Sequence, residues 1–355
     1  MVRLGWSGVG ALRADRRTAL LAAGVVLAVL VLVGCVRATA DRADALSPSA
    51  SPTPTGPVRL AFAGDVHFEG SSAAALDQGL GSAAAVLRKA DLAVVNLETA
   101  VTTGGDRQPK QYAFRAPAAA FDVLRGAGVD AVSMANNHGM DYGRAGLRDS
   151  LAAARSARMP VLGAGADDAA AFAPLRRTVR GVRVSVFAAT DVLDSFAIGS
   201  WPATADRAGL ASVKGAGLSR MAAAVRAETR RADVVAVVVH WGVERVTCPT
   251  ARQQQVARTL AAAGADVVAG SHAHVLQPTT RIGSTVVAYG LGNFVFYARG
   301  GAGARTGVLT VTVTKAGVRS TTWSPAVIRS GRPALLTGAA KAEAVAAQKR
   351  RGAAC

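Results

Sequence analysis

Five short apolar runs, each ending in a cluster of polar side chains, govern what this chain can fold into. Leu60-Ala61-Phe62-Ala63 runs into Gly64-Asp65-Val66-His67, Leu92–Val95 into Asn96-Leu97-Glu98, and Ala131–Met134 into Ala135-Asn136-Asn137-His138. The valine-rich run Val234–Val239 ends in His240-Trp241-Gly242-Val243-Glu244, and Val267–Gly270 ends in Ser271-His272-Ala273-His274. Ala-rich amphipathic stretches separate the runs. Alternation of this kind reads as βαβ units around mainly parallel sheet.

The pattern predicts strands at Arg59–Ala63, Asp91–Val95, Ala131–Met134, Arg183–Ala189, Val234–Val239, Val267–Ala269 and Thr285–Tyr289. It predicts helices at Ser72–Lys89, Ala118–Gly126, Arg144–Ser156, Ser219–Arg231 and Thr250–Ala263. Gly128 and Gly264 follow two of these stretches as C-terminal caps that feed the next strand. Beyond Gly307 the period changes, and Val308–Thr314 and Val318–Ile328 around Lys315-Ala316-Gly317 read as an antiparallel hairpin. Two packed sheets flanked by helices satisfy all of this.

Only five histidines occur in 355 residues, and every one lies within a few residues of the carboxyl end of an expected strand. In open α/β sheets ligands bind along that edge. With Asp65, Glu98 and Asn137 beside them, the histidines offer imidazole, carboxylate and amide oxygen, a donor set that suits Zn, Mn or Fe. The supply exceeds one tetrahedral site. A two-metal site ~3.5–4 Å across draws a nucleophile from water and clamps the oxygens of an in-line displacement, so the chemistry implied is hydrolysis.

The ordered motifs Gly-Asp-x-His, Asn-Leu-Glu, Asn-Asn-His with Asp141 and Gly143 after it, His-Trp-Gly-x-Glu, Gly-Ser-His-x-His-Val-Leu-Gln-Pro and Leu-Gly-Asn-Phe-Val-Phe are a specific set, and Phe114-Arg115-Ala116-Pro117 falls between the second and third. Together they resemble the CapA family of poly-γ-glutamate capsule biosynthesis, within the calcineurin-like metallophosphoesterases, over about residues 58–300. The resemblance implies a four-layer α/β/β/α sandwich of two mixed sheets flanked by helices. It implies one metal on Asp65, His67 and His274, and another on Asn137, His240 and His272. The superfamily usually bridges its metals with the Asp of a Gly-Asp motif, where this chain has Asn96-Leu97-Glu98; Glu98 is the bridge by position. His138 matches a histidine that contacts substrate and can protonate a leaving oxygen. Asp141 either orients His138 or closes a turn with Gly143. Glu244 either fixes a ligand imidazole or caps the following segment, and Asn96 and Asn293 stand beside the ligands as second contacts or substrate contacts. Trp241, Phe294 and Phe296 read first as packing residues.

The amino-terminal segment reads as an address. Arg3, Arg13, Arg16 and Arg17 precede the apolar stretch Thr18–Val33, and Leu32-Val33-Gly34-Cys35 resembles a bacterial lipobox. Residues 1–34 are thus expected to be a signal segment, with an uncleaved transmembrane anchor as the alternative, and lipidated Cys35 to begin a Ser/Pro/Thr-rich spacer, residues 35–57. Residues 58–335 are the expected domain and 336–355 an Ala/Arg-rich tail. This places the protein at the extracytoplasmic face of the cell membrane. The net charge of +18 resembles that of a nucleic-acid protein, but removing residues 1–34 leaves +15, carried mostly by scattered arginine. With 5% aromatic residues and no basic block beside stacking side chains, nucleic acid is excluded as a partner. An anionic polymer such as poly-γ-glutamate, a phosphoester substrate and membrane-bound polyglutamate synthase subunits fit better. Two readings of function follow: a metal-dependent hydrolase, or a non-catalytic polymer-binding subunit of a synthesis or export complex. Cys248 and Cys355 could pair in an oxidising exterior.

Overall fold

The computed structural model describes residues 56–298 and 300–355. The expected signal segment, Cys35 and nearly all of the spacer lie outside these residues. In chain order, the strands of the two main sheets begin with β1 (Val58–Val66), β2 (Leu92–Leu97), β3 (Ala131–Ser133) and β4 (Val161–Leu162). There follow β5 (Leu175–Val179), β6 (Val182–Thr190), β7 (Val234–His240), β8 (Val267–Ser271), β9 (Thr279–Ile282) and β10 (Thr285–Ala288). The last four are β11 (Asn293–Val295), β12 (Arg305–Thr314), β13 (Gly317–Arg329) and β14 (Arg332–Leu335). The longer helices are α1 (Ala119–Gly126), α2 (Gly143–Ser156), α3 (Gly217–Glu228), α4 (Ala251–Ala262) and α5 (Gly338–Ala354).

One sheet runs β14-β13-β12-β1-β2-β3-β4, with β11 paired to β1, and the other runs β9-β10-β8-β7-β6-β5. Each is mixed. The runs that end in polar motifs pair in parallel, β1 with β2 and β2 with β3, β7 with β8, whereas β12–β14, β9 and β5 add antiparallel edges.

Alternation along each strand builds four layers, because successive side chains face opposite sides of a sheet. Leu60, Phe62, Val94, Val186, Ala236, Val238 and Ala269 fill the space between the two sheets. Their neighbours Ala61, Ala93, Val95 and Val132 pack with Phe121, Leu124 and Leu147 of α1 and α2. On the far side Val235, Val237, Val239 and Val268 pack with Met221, Val225, Val256 and Leu260 of α3 and α4. A strand whose two faces are both covered has no reason to carry a polar residue until it leaves the core, which is why the polar motifs collect at one end.

Each of the seven expected strands is present, displaced by three residues or fewer at either end. The single helix expected over Ser72–Lys89 is not. That segment forms a 3₁₀ turn at Gly70–Ala74 and two four-residue helical turns at Ala75–Gln78 and Ala84–Leu87. Gly79 and Gly81 interrupt it with positive φ (70° and 76°), and a Cβ at Gly81 would lie 2.6 Å from Pro333 O. Close approach of β14 therefore overrides the helical period. The segment after residue 335 forms α5, tied back by a disulfide between Cys248 and Cys355.

Candidate metal centre

Strand register brings the motifs together. Asp65 pairs with Asn96 on one side and with Asn293 on the other, and His240 lies level with Ser271. Gly64 permits the β1–β11 contact, since a Cβ there would fall 1.7 Å from Gly292 O. Asp65, His67, Asn96, Glu98 and His240 are wholly buried, and Asn137, His138 and His272 nearly so.

Potential ligand atoms fall into overlapping groups whose members lie within 4.8 Å of one another: Asp65, Glu98 and His274; Glu98, His240 and His272; and Glu244, His272 and His274. Glu98 is common to the first two. Asn137 joins the second through Oδ1, 2.7 Å from His240 Nε2, and Glu98 Oε1 is 3.3 Å from the same nitrogen. His67 belongs to none of these groups. Its Nδ1 faces Ser72 Oγ at 3.0 Å and accepts from the Glu69 N–H, and its ring lies against Phe296, Tyr297 and Phe114 at 3.9, 4.5 and 4.7 Å, while Nε2 has no hydrogen-bond partner.

Asn96 does not enter a ligand group. Its Nδ2 donates to Asp65 Oδ1 (2.9 Å) and lies 3.1 Å from His240 Nδ1, and its Oδ1 accepts from Asn136 Nδ2. It fixes two prospective ligands from behind. Asn293 does the same for His274, with Oδ1 2.8 Å from Nδ1 and Nδ2 donating to the backbone oxygens of His274 and Gly303. Partners of this kind orient ligand rings.

The charges are strongly perturbed. Burial pushes His67 down to about 3, with attraction from Glu98 opposing. Burial followed by repulsion from His240 lowers His272 well below the ordinary imidazole range. Burial alone would raise Glu98, but His274 and His240 outweigh it and hold the carboxyl below its usual range. For His274 burial opposes charge, yet Glu98 and the hydrogen-bonded Asp65 push it up to about 9. The two buried carboxylates, Glu98 and Asp65, thus favour positive charge beside them.

A divalent cation fits this environment. Glu98 Oε1 and Oε2, His67 Nε2 and His272 Nδ1 are buried polar atoms with no hydrogen-bond partner among the described residues, an arrangement that is costly unless something else satisfies them. The mixed nitrogen and oxygen donors suit Zn, Mn or Fe.

His138 stands beside the ligand groups with Nδ1 2.6 Å from Asp141 Oδ2, and its ring stacks on Phe114 at 4.3 Å. Asp141 therefore orients His138, while the turn is closed by the Gly143 N–H on Met140 O. Sequence reasoning missed Lys110. Its ammonium is buried, 3.0 Å from Asp141 Oδ1 and 2.8 Å from Asp194 Oδ2, and it donates to the backbone oxygen of Asn137. The available signal was that Lys110 is one of only six lysines among 35 arginines and precedes Phe114-Arg115-Ala116-Pro117 by a few residues. Trp241 is a packing residue, wholly buried and donating from Nε1 to Tyr289 O at 2.7 Å. Phe294 is core, but Phe296 walls the site against His67 and His274.

Residues 59–298 match the family described as bacterial capsule synthesis protein PGA_cap. The chain belongs to this family. This PGA_cap chain is 31% identical over 214 residues to the PGA biosynthesis protein CapA of Bacillus subtilis, covering 59% of this chain and 54% of that one. It is 34% identical over 175 residues to the capsule biosynthesis protein CapA of Bacillus anthracis, covering 49% and 42%. The PGA_cap chain thus spans about half the length of the curated relatives it matches. Among solved structures, a hypothetical protein from Thermus thermophilus superposes with a TM-score of 0.50 at 20% identity, covering 76% of this chain and all of that one. That likeness concerns the fold, an α/β/β/α sandwich.

Proposed function

We propose that this PGA_cap protein is a dinuclear, metal-dependent phosphoester hydrolase that acts in the assembly, export or release of an anionic envelope polymer such as poly-γ-glutamate. The observation that carries the reading is Glu98, a wholly buried carboxylate that belongs to two ligand groups while both its oxygens lack a hydrogen-bond partner among the described residues. Cations held on either side of Glu98 would satisfy both oxygens.

The chain's own residues divide the work. Asp65, His67 and His274 would hold one ion and Asn137, His240 and His272 the other, with Glu98 between them. Divalent ions bound there would polarise a phosphoryl oxygen and activate water for attack. Asn96 and Asn293 keep ligand side chains from turning away. His138 presents Nε2 for proton delivery to a leaving oxygen, because Asp141 engages Nδ1. Phe114 and Phe296 exclude water from one side of the imidazoles.

In this proposal the domain is held outside the cytoplasm by a lipid on Cys35, with an uncleaved amino-terminal anchor as the alternative, and works beside membrane-bound synthase subunits. The Arg-flanked apolar run before Gly34-Cys35 supports this placement. Metal analysis of the purified protein, followed by phosphomonoesterase and phosphodiesterase assays with Mn or Zn, tests the reading. Two bound ions and turnover lost in His138→Ala are expected. Metal-free protein, or turnover indifferent to that change, would overturn it. The charge of +15 beyond residue 34 favours a second reading, a non-hydrolytic polymer-binding subunit. In that case Asp65→Asn leaves polymer output intact while substitutions of surface arginines reduce it.

A further inference from the structure

Six non-glycine residues have positive φ among the described residues. Three have a local cause. Arg158 ends α2, with its N–H on Arg155 O and the next N–H on Ala154 O, and Arg180 and Ser330 occupy the tight β5–β6 and β13–β14 turns, each followed by glycine. The other three are His272 (89°), His274 (54°) and Arg245 (62°), and they lie in two facing loops at the metal centre. A side chain in this region costs on the order of 1–3 kcal/mol, and such strain collects where function demands a particular geometry.

The loop after β7 is locked onto the histidine loop. Arg245 donates its backbone N–H to Ala273 O at 2.7 Å, midway between His272 and His274. Gly242 turns the chain with φ of 94°, where any Cβ would strike the Gln253 carboxamide at 2.7 Å. The result is that the Glu244 carboxylate comes within 4.8 Å of ligand atoms on both histidines. His272 is only 6% exposed, and its Nδ1 has no hydrogen-bond partner. A capping role for Glu244 is already filled, since Thr250 caps α4 through a reciprocal arrangement with Gln253.

We propose that Glu244 is itself a metal ligand, entering the coordination of the His272 and His274 ions from the exposed side while Glu98 serves them from the buried side. The inference rests on the metal-centre reading above and deepens it. A carboxylate added to two imidazoles keeps the site selective for cations such as Mn, Zn or Fe that accept both donor types. It also gives a physical reason for the backbone strain at Arg245, whose N–H on Ala273 O holds the loop that carries Glu244 against the histidine loop.

Equilibrium dialysis of the full chain against Mn²⁺ or Zn²⁺, with metal counted by mass spectrometry and Mn²⁺ environment read by electron paramagnetic resonance, tests this. Glu244→Gln should weaken one binding step by at least about tenfold, as losses around metal sites do, and should alter the Mn²⁺ spectrum. The metal-free melting temperature should not move, because Glu244 is exposed; Glu244→Asp should recover part of the affinity. Metal binding by Glu244→Gln equal to wild type would overturn the assignment while leaving the metal centre standing. A wild-type chain that binds neither ion would overturn both.

Discussion

Asp141 Oδ2 sits 2.6 Å from His138 Nδ1 and accepts the Phe114 N–H at 2.7 Å, while Asp141 Oδ1 faces the ammonium of Lys110 at 3.0 Å. Both oxygens of this buried carboxylate thus face a donor or a cation. Its geometry is fixed by Lys110 and Phe114 of one distant loop, and through it the imidazole of His138 is fixed as well. A proton carrier gains from this because its free nitrogen is held at one position relative to the neighbouring ligands.

If the site hydrolyses phosphoesters, His138→Ala should lower turnover by about 10²–10⁴-fold, the usual contribution of a positioned acid or base, with metal content unchanged. Asp141→Asn should fall in the same direction but by less, since Asn still accepts from Phe114 without compensating Lys110. Lys110→Met should follow Asp141→Asn, and the double variant should be no worse than either single one, because the residues act as a unit. Rates and metal content measured on all four variants decide this; independent, additive losses would contradict the coupling.

Much of this site can be read from sequence because the apolar runs end where the core ends, so Asp65, Glu98, Asn137, His240, His272 and His274 announce themselves by position. The strands are legible for the same reason. What sequence does not supply is approach between distant segments. Lys110 lies in a loop with no periodicity, and only the packing of that loop against Asn137, Asp141 and Asp194 gives it a role. Glu98 and Asn96 are two residues apart, so both compete for a bridging role; the end of β2 decides, because Asn96 is still in the strand, level with Asp65 and bonded to it and near His240, whereas Glu98 lies just past the strand end and enters the ligand groups. The failed helix over Ser72–Lys89 has the same origin, since Gly81 is required by the close approach of β14, more than two hundred residues later.

Metal removal should loosen the centre as well as inactivate it. Glu98, His67 and His272 hold buried atoms without hydrogen-bond partners, so the metal-free fold carries a penalty that a cation relieves. A ligand at a hundred times its dissociation constant stabilises the native state by about 2.7 kcal/mol. Thermal melts before and after treatment with chelator, and after return of Mn²⁺ or Zn²⁺, should show a fall and a recovery. No shift in either direction would argue against a metal at this site.

The carboxyl-terminal helix depends on the bridge between Cys248 and Cys355, which encloses a separation of 107 residues. Without it, α5 retains Gln348, which donates to Gln277 O at 2.9 Å, and its contacts with β9 and β13. Removing a native disulfide costs about 2–5 kcal/mol, and a loop of this length lies toward the upper end. Chemical denaturation of the Cys248→Ser/Cys355→Ser variant should show that loss, and reductant should produce it in wild type but not in the variant. Gln277 also accepts from Gln253 and donates to Val246 O in the loop bearing Glu244, so Mn²⁺ affinity should weaken in the same variant if the helix steadies that loop.

The acid limb of stability has one identifiable source far from the metal centre. Glu228, 2% exposed at the end of α3, accepts from Arg176 Nε at 2.6 Å, from Arg176 Nη2 at 2.7 Å and from Ser185 Oγ at 2.8 Å. The Arg176 hydrogen bonds hold its carboxyl below the ordinary value of 4.5, with burial opposing and Ser185 assisting. A carboxyl depressed in the folded state stabilises the fold above its unfolded value and loses that contribution as pH falls through its folded value. Wild type should therefore lose stability as the pH drops below about 4.5, and Glu228→Gln should lack that part of the loss. At pH 7 Arg176→Ala should cost about 1–3 kcal/mol, the range for a buried polar group left without its partner, since Arg176 itself is half exposed. Urea denaturation of the three proteins at pH 7 and pH 3 makes the comparison. An equal drop between the two pH values in wild type and Glu228→Gln would assign the acid sensitivity to other carboxylates.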